Sequence, residues 1–283
     1  MTAIKLDGEI LASELKIKLQ ERINKLQEQQ TIPGLGTLLV GEDGPSKKYV
    51  AMKHRDCQEL GMHSKEINLP ATASPNEISE AILDLNQDPN IHAFIVQYPF
   101  PGELDYEQQL MKVLPEKDAD GLHPVNLGKL VQGVSAPLAC TPAGIQMLLA
   151  RYDVPIEGKH VVVVGRGLTI GRPLANLLSL KRQNANAAVT VVHTGAGDIA
   201  PYTRQADILI AAAGSPGMIK ADMVKPGAAV VAAGVSFSGK KLVSDVAEEV
   251  HEVAGWLSPR IGGVGPMTRA LLMANTVSAA EKQ

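Results

Sequence analysis

Residues 160–171 read HVVVVGRGLTIG, and this stretch decides the fold of the second half of the chain. The continuous apolar run at 161–164 is typical of a β-strand that is buried on both faces of a parallel sheet. The glycines that follow, Gly165, Gly167 and Gly171, permit a tight turn and allow a diphosphate to approach the backbone closely. A helix predicted after them would offer its unpaired N–H groups to that diphosphate. The stretch therefore predicts a dinucleotide-binding domain.

The kind of dinucleotide is indicated by the residues around this loop. The glycine spacing is one residue longer than the usual fingerprint, so a plain strand–helix turn remains the alternative. The next strand ends in HTG (193–195), without the acidic residue that commonly holds the ribose hydroxyls of NAD. Arg166 and Arg172 flank the loop and would attract a 2′-phosphate, although each could instead cap a helix or pair with a surface acid. The sequence favours NADP.

Strand and helix patterns alternate on both sides of the loop. Upstream, the order β–α–β–α–β predicts a parallel α/β layer. Ser46 is a plausible cap for the second helix. The stretch 114–145, rich in Pro, Gly and Asp, is predicted to be irregular. The upstream elements are expected as helices at 9–30, 46–61, 75–89 and 144–154, and as strands at 37–40, 65–69 and 93–97.

Composition excludes several classes of function. The chain has 283 residues, 45% apolar and 20% charged, which fits two domains with a sizeable core. Its net charge of −3 and aromatic content of 3% argue against nucleic acid or an anionic membrane as a partner. Two cysteines fit neither a disulfide framework nor a zinc site, so no metal is expected. The N-terminus carries acids where a signal peptide is apolar, which predicts a cytoplasmic protein.

A second candidate site lies on the predicted helix at 46–61. Tyr49 and Lys53 are spaced i, i+4 and therefore share one helix face. Gln97 ends a predicted strand, and functional side chains gather at the carboxyl ends of parallel strands. These three residues are therefore expected to meet, although a lysine at helical spacing is more often solvated. In KDADG (117–121), Asp120 and its neighbour Asp118 either bind a guanidinium-like edge or only form a turn.

These residues together resemble one family, the bifunctional methylenetetrahydrofolate dehydrogenase/methenyltetrahydrofolate cyclohydrolases. The resemblance spans essentially the whole chain, and its stretches occur in the family's order. They are SKKYVAMKHRDCQELGM, VQYPFP, PEKDADGLHPVNLGKL, CTPAGI, GKHVVVVGRGLTIGRPLA, ADILIAAAG and GGVGPMT.

The resemblance implies an α/β protein of two domains that uses NADP and tetrahydrofolate one-carbon derivatives and forms a homodimer. An N-terminal parallel α/β catalytic domain would occupy 1–140, and a Rossmann-type NADP-binding domain 141–265. The C-terminal helix at 266–283 would return to the first domain. The implied catalytic residues are Lys53, Gln97, Tyr49 and Asp120. The implied substrate-binding residues are Tyr49, Gln97, Asp120, Pro259 and Gly262. The residues that would line the cofactor are Gly165, Arg166, Gly167, Thr194 and Val235.

The chain departs from the family's pattern at a few positions. Gly167 stands where Ser is frequent, Ala232 where Asp is usual, and Ser244 where Gly is usual. Arg260 and Ile261 replace the usual Val and Pro. These changes bear on cofactor affinity and hydride transfer more than on the fold. They leave open an enzyme that retains only the cyclohydrolase, while a non-catalytic folate or NADP sensor is disfavoured because the catalytic lysine is present. An oxidoreductase of another substrate class would explain the glycine loop alone.

Overall fold

The computed structural model describes residues 3–102, 104–238 and 241–283. Its helices are α1 (Gly8–Glu28), α2 (Gly44–Glu59), α3 (Pro75–Gln87), α4 (Tyr106–Leu110), α5 (Pro124–Gln132), α6 (Cys140–Arg151), α7 (Gly171–Ser179), α8 (Ala200–Thr203) and α9 (Val264–Ala280). Its strands are β1 (Ile4–Lys5), β2 (Gly34–Val40), β3 (His63–Leu69), β4 (Ala93–Val96), β5 (His160–Val164), β6 (Ala188–Val192), β7 (Ile208–Ala211), β8 (Ala229–Ala232), β9 (Val235–Ser238), β10 (Lys241–Ser244) and β11 (Trp256–Leu257).

The chain divides into two compact units. Unit A comprises Ser13–Lys129, Val134–Leu138 and Arg269–Gln283. Unit B comprises Met1–Ala12, Leu130–Gly133 and Ala139–Thr268. The sequence prediction grouped the first twelve residues with unit A, but β1 pairs in parallel with β11 and so belongs to the sheet of unit B.

Unit A is built on a three-stranded parallel sheet in the order β3-β2-β4. Every residue of β2 is buried, as expected for the central strand of a covered parallel sheet. Gly36 allows this close packing, because a Cβ there would lie 2.8 Å from Phe94 Cβ. Helix α3 begins with a capping box between Ser74 and Glu77.

Helix α2 begins earlier than predicted. Ser46 is not its N-cap; Asp43 is, and the Asp43 side chain accepts hydrogen bonds from both the backbone N–H and the hydroxyl of Ser46. Pro45 occupies the first turn, where its missing N–H costs nothing. Asp43 and Ser46 are both residue types that suit an N-cap. Asp43 takes the position because Pro45, two residues later, fits the first turn of the helix.

The stretch 114–145, predicted to be irregular, contains α5 and the first turns of α6. The prediction was wrong because the buried side of α5 carries a polar residue. Asn126, 1% exposed, points inward with Leu130, and its amide donates to Pro115 O at 2.7 Å. The apolar repeat that identifies a helix is therefore interrupted, and Pro124 resembles a turn residue although it starts the helix.

The C-terminal segment of unit A, which includes α9 from Arg269 onward, packs against α1 and α2. Arg22 of α1 makes two hydrogen bonds to the Glu281 carboxylate, at 2.9 and 2.7 Å. Met273 Sδ lies 3.5 Å from Cys57 Sγ in the core, where burial raises the pKa of the Cys57 thiol to about 12. The predicted return of this helix to the N-terminal helices is therefore confirmed.

Unit B is a six-stranded sheet in the order β1-β11-β8-β7-β5-β6, and all its pairings are parallel. Strands β7 and β8 are buried along their full length, which confirms the prediction of a doubly wound sheet. Strands β9 and β10 form a separate antiparallel pair. Within the described residues, no helix is long and apolar enough to cross a membrane.

Candidate functional site

The lysine predicted from helical spacing is buried in unit A. Lys53 is only 4% exposed, and its Nζ donates to Gln97 Oε1 at 2.9 Å. Nζ also lies 5.2 Å from the centroid of the Tyr49 ring, a cation–π distance. The structure therefore brings Lys53, Gln97 and Tyr49 together, and Lys53 is not a solvated surface lysine.

Two local features orient this group. On α2, the buried residues recur at helical spacing and place the lysine on the core-facing side of the helix; they are Ser46, Val50, Lys53, Asp56 and Cys57. Gln97 follows β4, and its Nε2 donates to Tyr98 O at 2.7 Å. That bond turns the amide oxygen toward the lysine. The Tyr98–Pro99 peptide that follows is cis.

Two of the charged residues in the KDADG turn have structural partners within unit A. Lys117 Nζ donates to the carbonyls of Leu85 and Asp88 at the end of α3, and burial lowers the pKa of Lys117. Asp118 is 3% exposed and accepts hydrogen bonds from four groups. The donors are the backbone N–H groups of Gly121, Leu122 and His123 and the side chain of Asn126. For Asp118, the turn-forming interpretation is therefore correct.

Asp120 is partly exposed on the turn that Asp118 holds. Burial, and then the charges of Asp120 and Asp118, raise the pKa of the Tyr106 phenol. Tyr106 donates to Val96 O at 3.2 Å, and its ring packs edge-on against Tyr98 at 5.1 Å between centroids. Asp120 is thus electrostatically coupled to the aromatic cluster that follows Gln97. Sequence reasoning missed this cluster, although YPFP (98–101) is a conspicuous aromatic–proline run.

His54, next to the lysine, was also missed. Its Nε2 lies 2.9 Å from Thr37 Oγ1 and 3.4 Å from Glu66 Oε2, so it ties α2 to β2 and β3. Burial is the main cause that lowers the pKa of His54; Glu66 opposes the shift, and Lys53 adds to it. Its sequence neighbours gave no signal, because its partners come from two different strands.

In unit B, the predicted glycine loop follows β5. Gly165 has φ +122°, and a Cβ there would lie 2.2 Å from Ala212 O. A Cβ on Gly171 would lie 2.2 Å from Gly165 O. The fold itself therefore requires these two glycines. A Cβ on Gly167 would meet nothing within 4 Å, so this position leaves open space beside the start of α7.

The other predicted cofactor residues surround the same edge of the sheet. Thr194, Val235, Arg166 and Arg172 are all exposed. The turn at 193–195 carries no carboxylate, and its His193 Nδ1 accepts from Gly195 N at 3.0 Å. The exposed cations, the open space at the loop and the absence of an acid in this turn fit a dinucleotide that bears a 2′-phosphate.

A cavity of about 750 Å³ lies at the carboxyl ends of β8 and β11. Its lining includes Ala232, Ser244, Arg260 and Ile261, the departures from the family's pattern other than the glycine, together with Pro259. These changes are therefore concentrated in one place and are not spread over the surface.

The remaining predicted substrate residue, Gly262, lies in the turn that follows the cavity and has φ +80°. Its carbonyl accepts from the backbone N–H groups of Gly8 and Glu9 at the start of α1. Among the residues the structure describes, no group of three or more His, Cys, Asp or Glu side chains is arranged to hold a metal ion.

A doubly wound sheet with a glycine loop, and a second α/β unit in which a buried lysine donates to a glutamine, define the class: a nucleotide-dependent α/β enzyme. Family models describe residues 6–120 as the catalytic domain of tetrahydrofolate dehydrogenase/cyclohydrolase and residues 139–283 as its NAD(P)-binding domain. The chain belongs to this tetrahydrofolate dehydrogenase/cyclohydrolase family, which confirms the resemblance.

Individual relatives are similar over their full length. The bifunctional protein FolD of Syntrophotalea carbinolica is 52% identical over 283 residues, which cover 100% of this chain and 98% of the relative. The crystal structure of FolD from Campylobacter jejuni is 38% identical, with a TM-score of 0.93 and 99% of each chain covered. The Trypanosoma brucei FolD structure, complexed with NADP and an inhibitor, is 34% identical with a TM-score of 0.93, covering 100% and 98%.

Proposed function

We propose that this chain oxidises 5,10-methylenetetrahydrofolate to the 5,10-methenyl form with NADP and then hydrolyses that form to 10-formyltetrahydrofolate. Family membership supports both activities. The observation that carries the assignment to residues is the hydrogen bond from the buried Lys53 Nζ to Gln97 Oε1. It provides a proton-transfer group that is shielded from bulk water and held by a neutral amide.

The oxidation requires positioning more than acid or base catalysis. When bound, NADP supplies the acceptor for the hydride that leaves the one-carbon bridge of the substrate. The nitrogen lone pairs beside that bridge stabilise the resulting substrate cation. In this proposal, Tyr49 stacks on the folate and Asp120 accepts hydrogen bonds from the aminopyrimidine edge of the pterin. Together they hold the bridge in one orientation.

The hydrolysis requires proton movement. The oxygen of a water molecule bonds to the methenyl carbon and loses one of its protons. A ring nitrogen then gains a proton as its bond to that carbon breaks, and the oxygen releases its second proton to the solvent as the formyl C=O forms. Lys53 in its amine form accepts the first proton, and its ammonium form returns a proton to the nitrogen. Gln97 holds Nζ without adding a charge, whereas a carboxylate in its place would favour the ammonium form.

The preference for NADP over NAD rests on the residues after β6. A carboxylate at 193–195 would repel a 2′-phosphate, and none is present there, while Arg166 lies exposed at the loop. An assay with NADP and NAD side by side tests this preference. We expect a lower KM for NADP, and equal kcat/KM for the two cofactors would contradict the proposal.

The homodimer and the cytoplasmic location are part of the same proposal, and the homodimer rests on the resemblance. Light scattering coupled to size-exclusion chromatography tests the assembly. A mass of twice 30.0 kDa supports a dimer. A mass of 30.0 kDa at the concentrations used for assays would contradict it.

Two substrates test the two activities separately. With methylenetetrahydrofolate and NADP, we expect absorbance at 340 nm to grow. With methenyltetrahydrofolate alone, we expect enzyme-accelerated loss of its own absorbance. Lys53→Met should reduce the cyclohydrolase rate by at least about 100-fold, since a positioned proton-transfer group contributes that much. NADP binding, measured by calorimetry, should be unchanged; near wild-type hydrolysis in this variant would overturn the role of Lys53.

A second candidate is an enzyme that retains only the cyclohydrolase. The observation that favours it is the cavity lined by Ala232, Ser244, Arg260 and Ile261 in the nucleotide-binding unit. This candidate predicts accelerated hydrolysis of methenyltetrahydrofolate without any NADPH formation from methylenetetrahydrofolate. NADPH formation at a rate comparable to hydrolysis excludes it.

A further inference from the structure

A cluster of charges around one buried carboxylate lies one helical turn from Lys53. Asp56 on α2 is 3% exposed. Lys16 of α1 reaches its Oδ1 at 2.6 Å, and Arg269 of α9 places Nη1 3.5 Å from its Oδ2. All three residues belong to unit A, and three different helices supply them.

The cluster carries a surplus positive charge. The carboxylates of Asp56 and Glu59 outweigh burial and raise the pKa of Lys16, so its ammonium persists. Arg269 contributes a guanidinium cation. Two cations therefore surround one buried carboxylate. Glu59 also contacts Lys16, but its side chain is 54% exposed, so water screens its charge.

The contact between Asp56 and Arg269 contributes little as a purely structural ion pair. Within the described part of the chain, Asp56 Oδ2 and Arg269 Nε are buried without any hydrogen-bond partner. Burying charged atoms without full hydrogen bonding costs free energy that the attraction between them repays only in part. The small net contribution of the pair to stability leaves room for an electrostatic role toward its neighbours on α2.

The geometry connects the cluster to the lysine. Asp56 is three residues after Lys53 on α2, and both side chains lie on the buried face of that helix. Residues at this spacing have Cβ atoms about 5–6 Å apart. Because the region is buried, charges act on one another with less screening than at the surface.

We propose that Arg269 is a positioning residue that, through Asp56, sets the proton affinity of Lys53. This inference rests on the proposed function, in which Lys53 moves protons. Asp56 alone would favour the ammonium form of its neighbour. Arg269 and Lys16 together outweigh that carboxylate, so the cluster as a whole favours the amine form of Lys53.

Other charged groups around Lys53 stay constant in this argument. His54 on the same helix is kept neutral mainly by burial, and Glu66 of β3 contacts His54. Gln97 is uncharged, and Asp120 lies on a separate turn. These groups are the same in every variant of Lys16, Asp56 or Arg269, so a change in the titration of Lys53 in such a variant reports on the cluster.

The test uses variants whose effects on charge have opposite signs. Arg269→Gln removes the surplus and should move the ascending limb of the cyclohydrolase pH profile to higher pH by about one unit. Asp56→Asn increases the surplus and should move that limb to lower pH. The double variant restores the original sum and should return close to the wild-type profile, as should Arg269→Lys. A structural defect would not reverse sign in this way.

A direct measurement separates this inference from the proposed function. The titration of Lys53 is followed by the 13Cε resonance of 13C-lysine-labelled protein, assigned by its absence in Lys53→Met. Shifts of the Lys53 pKa with opposite sign in Arg269→Gln and Asp56→Asn support the inference. If these shifts occur but the pH profile of the cyclohydrolase stays unchanged, the inference holds and the proposed role of Lys53 in hydrolysis is wrong. Unmoved titrations, or shifts of the same sign, overturn the inference. If Arg269→Gln does not fold, the downward shift in Asp56→Asn decides.

Discussion

The proposed hydrolysis depends most on the type of residue that accepts the hydrogen bond from Lys53, which is the neutral amide of Gln97. Gln97 offers an oxygen at 2.9 Å from Nζ without a charge, and its own N–H₂ is occupied by Tyr98 O. A glutamine therefore fixes the position of Nζ while leaving its protonation state to the surroundings. A carboxylate would fix the same position but would stabilise the ammonium form.

Gln97→Glu is expected to preserve the geometry and to impair the base. The cyclohydrolase rate at pH 7 should fall at least about tenfold, and its ascending pH limb should move to higher pH, because an opposite charge in contact raises the pKa of a lysine. Rates across pH 6–10 measure this (roughly the range that brackets a shifted lysine). Gln108→Glu, on the exposed side of α4, is the matched control. A profile identical to that of the control would contradict the prediction.

The two aspartates of the KDADG turn should respond differently to truncation. Asp118→Ala removes the acceptor of four hydrogen bonds in a buried turn, and we expect it to lower the free energy of unfolding by about 2–4 kcal/mol. Asp120→Ala should leave stability within about 0.5 kcal/mol and raise the KM for the folate substrate. Urea unfolding and steady-state kinetics on both variants measure this. Equal losses of stability would refute the division of roles.

At the scale of elements, two glycines of the loop, Gly165 and Gly171, leave no room for a Cβ, whereas Gly167 does. Gly171→Ala places a Cβ against Gly165 O, so we expect a loss of several degrees in Tm and weaker NADP binding. Gly167→Ala meets open space and should keep the wild-type Tm within about 1–2 °C. Thermal unfolding with and without NADP measures both variants. A Gly167→Ala variant as unstable as Gly171→Ala would show that the open space is closed in solution.

The elements that sequence reasoning identified are those whose evidence is local. HVVVV and AFIV are short apolar runs beside glycine or proline, and they form β5 and β4. Sequence reasoning missed α5 because Asn126 lies on its inward face. The Asn126 side chain donates a hydrogen bond to Asp118, a residue eight positions earlier. The sequence prediction places the cap of α2 at Ser46, because Asp43 and Ser46, three residues apart, both suit that role. Periodicity cannot reveal a polar core contact whose partner is distant.

The same limit applied to the candidate site. The spacing of Tyr49 and Lys53, and the position of Gln97 at a strand end, were enough to expect their meeting. The partners of Asp56 come from the first and last helices, and Lys16 and Arg269 lie 253 positions apart in the sequence. No local pattern marks such a contact, because it exists only after the helices pack.

At the scale of the whole molecule, stability should depend on a buried histidine. His92 is 8% exposed, and its Nδ1 accepts from Gly34 N at 3.0 Å, which joins the loop before β4 to the start of β2. Burial is the main cause that lowers the pKa of His92, and the charges of Lys117 and His63 add to it. The folded protein therefore favours the neutral ring, which alone can accept this hydrogen bond.

This histidine should make the protein lose stability as it is acidified. Because the folded-state pKa is depressed, its contribution is present above the ordinary value near 6.5 and is lost as the pH falls toward the folded value. We expect the free energy of unfolding to decline from pH 7 to pH 5 (roughly the window set by an ordinary histidine), and His92→Gln to flatten that decline. His251→Gln, at an exposed position, is the control. An unchanged slope in His92→Gln would contradict the assignment.

The two-residue strand β1 has a practical consequence. Ile4 and Lys5 cover the outer side of β11, whose backbone groups would otherwise stand unpaired at the rim of the larger sheet. Trimming the first five residues for crystallisation or for an N-terminal fusion would expose that rim to strands from other molecules, and the yield of monodisperse material should drop. Affinity tags are better joined ahead of an intact leading segment by a flexible spacer.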